Sequence, residues 1–264
     1  AATHPELLDW LATEFVRQGW SIKQMHRLIM KSATYQAAST FSSEIHLKTD
    51  PKNKYLWRMN RRRLEAEALW DTVHQTAGTL NPKMYGRPVV PPLAEDELAA
   101  LREKWQWPVS GDPREHTRRG LYIMVRRNFR FPMFEVFDAP LTEVSCPQRD
   151  VTTVAPQALW TLNSASVYRQ ARHLAESVLK TAQDNPEKWI EEVWFRMLGR
   201  PATGQEMAET LKLLSVLEQQ GVKNPKQGAT ALPPHLAKIP AARAAAYIHT
   251  CLALFNHNEF SFVD

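Results

Sequence analysis

Residues 156–181, PQALWTLNSASVYRQARHLAESVLKT, carry a long helical pattern. A proline at the start of this segment suits the first turn of a helix, where its missing N–H is not needed for a hydrogen bond. We therefore predict one helix from Pro156 to Thr181 and a helical fold built around it. The apolar face of this helix comprises Leu159, Leu162, Val167, Ala171, Leu174 and Val178.

The N-terminal residues predict a helical hairpin over residues 3–35. Thr3 and Glu6 have the spacing of a capping box, with Thr3 as the N-cap. Gly19 ends the first helix, and Ser21 caps the second, which runs to about Tyr35. The short connection makes the two helices neighbours.

Three more helices are predicted near the C-terminus, which gives a set of C-terminal helices over residues 156–257. The first runs from Pro186 to Met197, and the second follows a capping box at Thr203–Glu206 and ends at Gly221. The last runs from Pro240 to about Asn256. Between them, Gly221–Pro234 is rich in glycine and proline and predicts a mobile loop.

The middle of the chain is less regular. Leu80–Thr117 is rich in proline, and only the stretch AEDELAALREKW within it is helix-like. Gly120–Asn128 has the alternating character of a short strand, and Phe131–Pro140 fits either a strand or a short helix. We therefore predict a mainly α, multi-helix globular domain with a small irregular or β-containing insertion at about residues 80–140. It is treated as one domain over residues 1–264, taken from a larger protein because it starts at a helix cap.

Composition limits the function. Apolar residues make up 44% of the 264 positions and charged residues 23%, as in soluble globular proteins. The net charge of +5 is small and mixed with acids, which argues against a nucleic-acid partner. No apolar run is long enough to span a membrane, and the N-terminus lacks the pattern of a signal peptide. No metal-ligating set, nucleotide-binding motif or hydrolase motif is found, and no CxxCH motif, so no metal and no cofactor is expected in this chain.

Arginines cluster just before the third predicted helix, which spans about Arg61 to Ala77. Guanidinium groups bind carboxylate, sulfate or phosphate through paired donors, so Arg61, Arg62 and Arg63 are candidates for an anion site. The alternative is structural, because Arg61–Glu65 and Arg63–Glu67 have the i,i+4 spacing of ion pairs on a helix. Both interpretations stay open.

A second basic group, Arg126 and Arg127, follows the predicted strand. The two side chains point to opposite faces of a strand, so one of them faces the interior or a cleft. A buried arginine needs a carboxylate, and Glu65, Glu67 and Asp150 are the candidates. A cleft lined by both basic groups would instead suit an anionic ligand.

The loop SCPQRDVTTVAPQ, residues 145–157, contains one of the two cysteines. Cys146 would need a nearby base to act as a nucleophile, and no histidine is close in sequence. Arg149 and Asp150 are better explained as an ion pair, although Arg149 is also an anion-binding candidate. Whether Cys146 and Cys251 form a disulfide is left open.

Several of these segments, taken together, resemble the bacterial domain of unknown function 1553. They include THPELLDWLATEFVRQGWSIKQMHRLIMKSATYQ at residues 3–36, DPKNKYLWRMNRRRLEAEALWD at 50–71, RRGLYIMVRRN at 118–128, FDAPLTEVSCPQRDVTTVAPQALWTLNS at 137–164 and LALFNHNEFSFVD at 252–264. The resemblance implies the C-terminal domain of a large, secreted or cell-envelope protein of planctomycetes. It also implies cytochrome-c-like domains elsewhere in that protein, where haem c would bind. It implies no catalytic residues.

Two functional hypotheses follow. The first is an interaction or scaffold module that binds other domains of its parent protein or another envelope protein. The second is an enzyme or binding domain for an anionic, sulfated polysaccharide that uses the clustered arginines. The sequence does not decide whether the chain is an enzyme.

Overall fold

The computed structural model describes residues 2–99, 101, 106–127, 129–221 and 232–263. These residues form twelve α-helices and one small sheet, in which β1 (Arg62–Arg63) pairs with β2 (Phe262–Val263). The prediction of a mainly α fold is therefore confirmed. The chain divides into two compact units. The N-terminal unit comprises Ala1–Arg62 with Phe262–Asp264, and the main unit comprises Arg63–Ser261.

The N-terminal unit contains α1 (Pro5–Arg17), α2 (Ile22–Met30) and α3 (Glu44–Thr49). Ser21 caps α2 as predicted, because its hydroxyl accepts a hydrogen bond from the Gln24 N–H. The N-cap of α1 is His4 rather than Thr3, and no side chain caps that helix end. α2 also ends five residues before the predicted Tyr35.

The main unit is built on a set of packed helices. Its elements are α4 (Ala66–Thr76), α5 (Glu95–Ala99), α6 (Pro132–Val136), α7 (Ala155–Asn163), α8 (Ala165–Ala182), α9 (Pro186–Leu198), α10 (Gly204–Gln220), α11 (Ala241–Phe255) and α12 (Asn258–Ser261). α8 packs against α9 and α11, and α10 packs against α11. At the centre, the Trp189 ring stacks on the Tyr247 ring with centroids 4.4 Å apart, and both side chains are buried. The capping box at Thr203–Glu206 and the left-handed Gly221 that ends α10 are both as predicted.

The predicted helix from Pro156 to Thr181 is two helices, which corrects the sequence analysis. Ser164 has an extended backbone, with φ −66° and ψ 125°, and it ends α7 and begins α8. The residues predicted to form one apolar face therefore do not share one environment. Leu159 is consequently 57% exposed, whereas Leu174 on α8 is fully buried in the core.

The predicted helix at Arg61 begins five residues later, at Ala66. Arg62 and Arg63 lie in β1, and the Leu64 N–H donates to the Ser261 carbonyl next to this strand. Residues 61–65 are therefore not helical, and the predicted i,i+4 helical pairs of Arg61 and Arg63 with Glu65 and Glu67 are wrong.

The predicted strand at Gly120–Asn128 is also wrong. Gly120–Tyr122 forms a 3₁₀ turn, and Ile123 makes only an isolated bridge with Val89. Asn128 lies outside the described residues, as do residues 222–231 of the predicted mobile loop and much of the helix-like stretch after Ala99. In Phe131–Pro140, the short helix α6 is the alternative that the structure contains.

A buried arginine holds the irregular middle region together. The Arg118 side chain is 1% exposed and donates hydrogen bonds to the carbonyls of Lys83, Tyr85 and Arg87. It also pairs with Glu115 and lies over the Tyr122 ring, 3.9 Å from its centroid. One guanidinium thus binds three backbone carbonyls of a segment that has no regular strand. None of the described helices is both long enough and apolar enough to cross a membrane.

Candidate functional site

Arg63, an anion-binding candidate, is an internal structural residue. Its side chain is 4% exposed, and its Nη2 lies 2.6 Å from Oδ2 of Asp138. The guanidinium also donates to the backbone carbonyls of Leu64 and Thr152, at 3.1 Å each. The guanidinium of Arg63 is therefore bound to Asp138 and to backbone carbonyls of the chain itself.

Asp138 is the hub of this cluster. The Thr152 N–H and hydroxyl both donate to its carboxylate, at 2.8 and 2.9 Å, and Gln157 Nε2 donates at 3.4 Å. Partial burial by itself raises the pKa of Asp138, but the hydrogen bonds from Thr152 and the charge of Arg63 outweigh it. The pKa therefore lies below its ordinary value, and the carboxylate is ionised at neutral pH. This arrangement closes the loop between residues 138 and 152.

Arg149 is bound to Glu65 and Glu67, two of the three acids predicted as ion-pair candidates. Its Nη1 lies 2.6 Å from Glu67 Oε2 and 3.3 Å from Glu65 Oε2, and its Nη2 lies 3.1 Å from Glu67 Oε1. The bidentate geometry with Glu67 is the strong form of such a pair. The predicted ion pair of Arg149 with Asp150 is therefore wrong: Arg149 pairs with Glu67 and Glu65, while the exposed Asp150 lines a separate pocket.

The remaining arginine candidates are more exposed. Arg62 and Arg127 are exposed and Arg126 is half-buried, and none of the three has an ion pair with any described residue. Arg61 is exposed and has an interaction of its own. The prediction that these arginines bind an anion stays a prediction.

Cys146 lies at a polar pocket of about 440 Å³ in the main unit. Arg130, Glu135, Asp138 and Asp150 are among the residues that line this pocket, and its lining contains no histidine. The thiol instead donates to the Gln148 carbonyl at 3.1 Å. Cys146 therefore has no histidine base among the residues that line this pocket.

The two cysteines are not joined, which settles the alternative left open above. Cys146 is exposed, whereas Cys251 is buried in α11. Burial raises the pKa of the Cys251 thiol well above its ordinary value. Among the described residues, no group of three or more His, Cys, Asp or Glu side chains is arranged to hold a metal ion.

The larger cavity lies within the N-terminal unit and is an open, mainly apolar cleft of about 640 Å³. Two helices and the segment before β1 form it, and we call it the hairpin cleft. Its apolar lining is Leu7, Trp10 and Leu11 from α1, Leu28 and Ile29 from α2, and Tyr35, Leu56 and Met59. The polar lining is Lys31, Ser32, Thr34, Arg58, Asn60 and Arg62.

The charges at the hairpin cleft have one sign. Lys31, Arg58 and Arg62 are its only charged lining residues, and no acidic side chain joins them. The Arg58 guanidinium lies over the Trp57 ring at 4.8 Å from the centroid, and its buried Nε has no hydrogen-bond partner among the described residues. Three cations with no acidic side chain in the cleft lining favour an anionic ligand.

Sequence reasoning missed three features of these sites. It did not identify Asp138, which lies 75 residues from Arg63, or the buried Arg118. It also gave no sign that Leu7, Trp10 and Ile29 on α1 and α2 are exposed. The proline-rich composition of residues 80–117 was the available signal for Arg118, because irregular backbone leaves carbonyls that a buried guanidinium can bind.

Comparison with known proteins identifies the family. The sequence profile of the family described as PSD1, protein of unknown function (DUF1553), matches residues 1–214. No curated protein and no solved structure gives a significant match to the chain. The profile covers the N-terminal unit up to Arg62 and most of the helices of the main unit. The chain therefore belongs to the DUF1553 family.

Proposed function

We propose that this chain is an interaction module that docks through its N-terminal unit. Its partner is another domain of the larger envelope protein to which it belongs, beside cytochrome-c-like domains that carry haem c. One observation carries the proposal. In the described part of the N-terminal unit, four residues are buried, and all four are polar: Glu14, Ser39, Asp50 and Asn53.

Most of the large apolar side chains of this unit lie on its surface instead. The large apolar side chains exposed there are Leu7, Leu8, Trp10, Val16, Trp20, Ile22, Ile29, Met30, Tyr35, Phe41, Ile45, Leu47, Tyr55, Leu56 and Val263. Burying one such side chain contributes roughly 1.5–3 kcal/mol. Soluble monomers rarely leave large apolar patches uncovered, and such patches mark binding surfaces.

The backbone at Trp20 supports the same conclusion. Trp20 has a φ of 62°, in the left-handed region that costs an L-residue roughly 1–2 kcal/mol. Its side chain is nevertheless 66% exposed and contacts Phe15 only edge-on, with centroids 5.2 Å apart. An exposed aromatic ring on a strained backbone adds little to the stability of the isolated unit. We therefore interpret Trp20 as a contact for the partner.

The alternative, an anionic polysaccharide bound by clustered arginines, has weaker support. Arg63 and Arg149, two of its six candidates, are bound to Asp138 and Glu67. Their charges are thereby neutralised inside the main unit. An anion site would then depend on the remaining arginines.

Site-specific cross-linking tests the docking proposal. A photoreactive amino acid replaces Leu28 in the hairpin cleft, in the protein in which the chain naturally occurs, and the cross-linked peptides are identified by mass spectrometry. A matched control carries the same group at Lys212, on the exposed surface of α10. We expect the Leu28 cross-links to concentrate in one segment of another domain. Scattered cross-links like those of the control, or cross-links only to residues of this same chain, contradict the proposal.

A further inference from the structure

We infer that the hairpin cleft receives an amphipathic helix whose apolar face is flanked by acidic side chains. This inference rests on the proposed function and names the chemistry of its partner. It starts from the shape of the cleft. α1 presents Leu7, Trp10 and Leu11 at i, i+3 and i+4, and α2 presents Leu28 and Ile29 opposite them.

A two-helix hairpin of this length buries little apolar surface by itself, and isolated short helices are marginal in water. A third helix laid in the groove would bury the facing stripes of both helices at once, with anchors at helical spacing. A concave groove suits such a helix better than a flat lipid surface, which would meet only the outermost side chains. The shape of the cleft therefore favours a helical protein segment.

Charge selects the kind of helix. Lys31, Arg58 and Arg62 supply all the charge at the cleft, and the Arg58 Nε is buried without a partner in the described residues. Carboxylates on the incoming helix would be attracted to these three cations, whereas lysines at the same positions would be repelled.

The charge distribution of the whole sequence agrees with this choice. Residues 1–62 contain ten basic and five acidic residues, and residues 63–264 contain 23 of each. The net charge of +5 is therefore concentrated in the segment that forms the cleft. Long-range attraction would draw an acidic segment to this unit rather than to the neutral remainder.

Two synthetic peptides test the inference against the full chain. One is an 18-residue peptide with leucines on one helical face and glutamates on its flanks, and the other has lysine in place of each glutamate. Binding is measured by calorimetry at low and high salt. We expect the glutamate peptide to bind and to weaken as salt rises, and the lysine peptide to bind about tenfold more weakly or not at all.

Charge-reversal variants localise the effect. In the Arg58→Glu/Arg62→Glu variant, the glutamate peptide should bind about tenfold more weakly and the lysine peptide more tightly. The matched control is Lys23→Glu/Arg27→Glu, which changes the same charge on α2 outside the cleft and should keep the wild-type preference. Circular dichroism establishes that each variant is folded.

Three results would overturn the inference: equal binding of both peptides, an equal effect of the control variant, or binding to phosphatidylglycerol vesicles with no binding of either peptide. These results are distinct from failure of the proposed function. Cross-links from Leu28 that concentrate in a segment without an acidic helix would reject the partner chemistry and leave docking in place. Scattered cross-links would reject docking itself.

Discussion

The two units of this protein differ in which side chains they bury. The main unit buries apolar side chains from α4 to α12, including Leu174, Trp189, Ile190 and Phe255, each at most 1% exposed. In the described part of the N-terminal unit the fully buried residues are all polar, and many large apolar side chains are exposed. The difference indicates that the main unit is stabilised by its own apolar core, whereas the docking proposal assigns the exposed apolar side chains of the N-terminal unit to a partner.

The polar interior of the N-terminal unit shows how it keeps a defined shape without an apolar core. The Asp50 carboxylate accepts from the Tyr55 N–H at 2.7 Å, and Trp57 Nε1 donates to the Asp50 carbonyl at 3.1 Å. Asn53 donates to the Arg58 carbonyl at 2.7 Å. These bonds order the turns that carry one wall of the hairpin cleft. They contribute specificity more than stability, since a hydrogen bond contributes only about 1 kcal/mol net.

The largest expected difference between the units is in the response to losing a tryptophan. Trp189→Ala removes a fully buried ring that stacks on Tyr247, and should lower the free energy of unfolding by about 4 kcal/mol. The matched change Trp20→Ala in the N-terminal unit should lower it by about 0.5 kcal/mol or less, because that ring is exposed. Urea unfolding followed by circular dichroism measures both. Equal losses would remove the distinction between the units.

Two adjacent arginines sharpen the comparison at the boundary of the units. Arg63→Met leaves Asp138 without its cation and frees the carbonyls that Arg63 binds, and should cost about 3 kcal/mol of unfolding free energy. Arg62→Met, one position earlier and exposed, should change stability by less than about 0.5 kcal/mol. The same denaturation assay tests the pair. A small effect of Arg63→Met would show that the loop closed by Asp138 does not support the main unit.

Between pH 6.5 and 4, one contribution to the pH dependence of stability should come from His74 in the main unit. Burial lowers the pKa of His74 from 6.5 to about 4, although its hydrogen bond to the Trp70 carbonyl and the charge of Asp71 oppose the shift. Nearby Arg169 and His173 lower it further. The unfolded chain therefore takes up a proton between pH 6.5 and 4 while the folded chain does not. Stability is fully present above pH 6.5 and falls by about 3 kcal/mol as the pH drops to 4.

His74→Asn is the control for this pH dependence. Its side-chain amide can still donate to the Trp70 carbonyl, but it does not titrate. Between pH 6.5 and 4, the unfolding midpoint of the variant should change less with pH than that of the wild type, whatever the absolute stability of the variant. An unchanged slope would assign the pH dependence to other groups.

The smallest expected effect concerns the exposed helical surface. Leu8→Ala on α1 changes a residue that is 58% exposed and does not line the hairpin cleft, so stability should change by less than about 0.5 kcal/mol. Thermal unfolding of the isolated chain measures it. A loss comparable to that of Trp189→Ala would mean that the N-terminal unit has an apolar core of its own.

The sequence was most informative where local chemistry decides the structure. Ser21, the Thr203–Glu206 capping box and Gly221 each specify a helix end through their own backbone and side-chain geometry, and the structure has all three. Periodicity predicted most helices for the same reason. It failed at Ser164, where the apolar spacing continues through the helix break and a single extended residue changes the direction of the chain.

Long-range contacts could not be predicted in this way. Asp138, the partner of Arg63, is 75 residues away in sequence, and Glu67, a partner of Arg149, is 82 residues away. The i,i+4 spacing suggested a helical pair of Arg63 with Glu67. Arg63 instead lies in β1, and its side chain binds Asp138. The exposure of the apolar side chains in the N-terminal unit could not be predicted either. An apolar stripe on a helix has the same sequence pattern whether it packs against its own domain or against a partner.

The Asp138–Thr152 closure has one more consequence, for how the chain can be altered. Because Arg63 and Thr152 fix both ends of the segment between these residues, its interior can change length without moving the helices that follow. Doubling the length of a flexible loop adds only about 0.6 kcal/mol to the entropic cost of closing it. The exposed stretch from Leu141 to Ser145 is thus a suitable place to insert a reporter tag or a fluorescent protein.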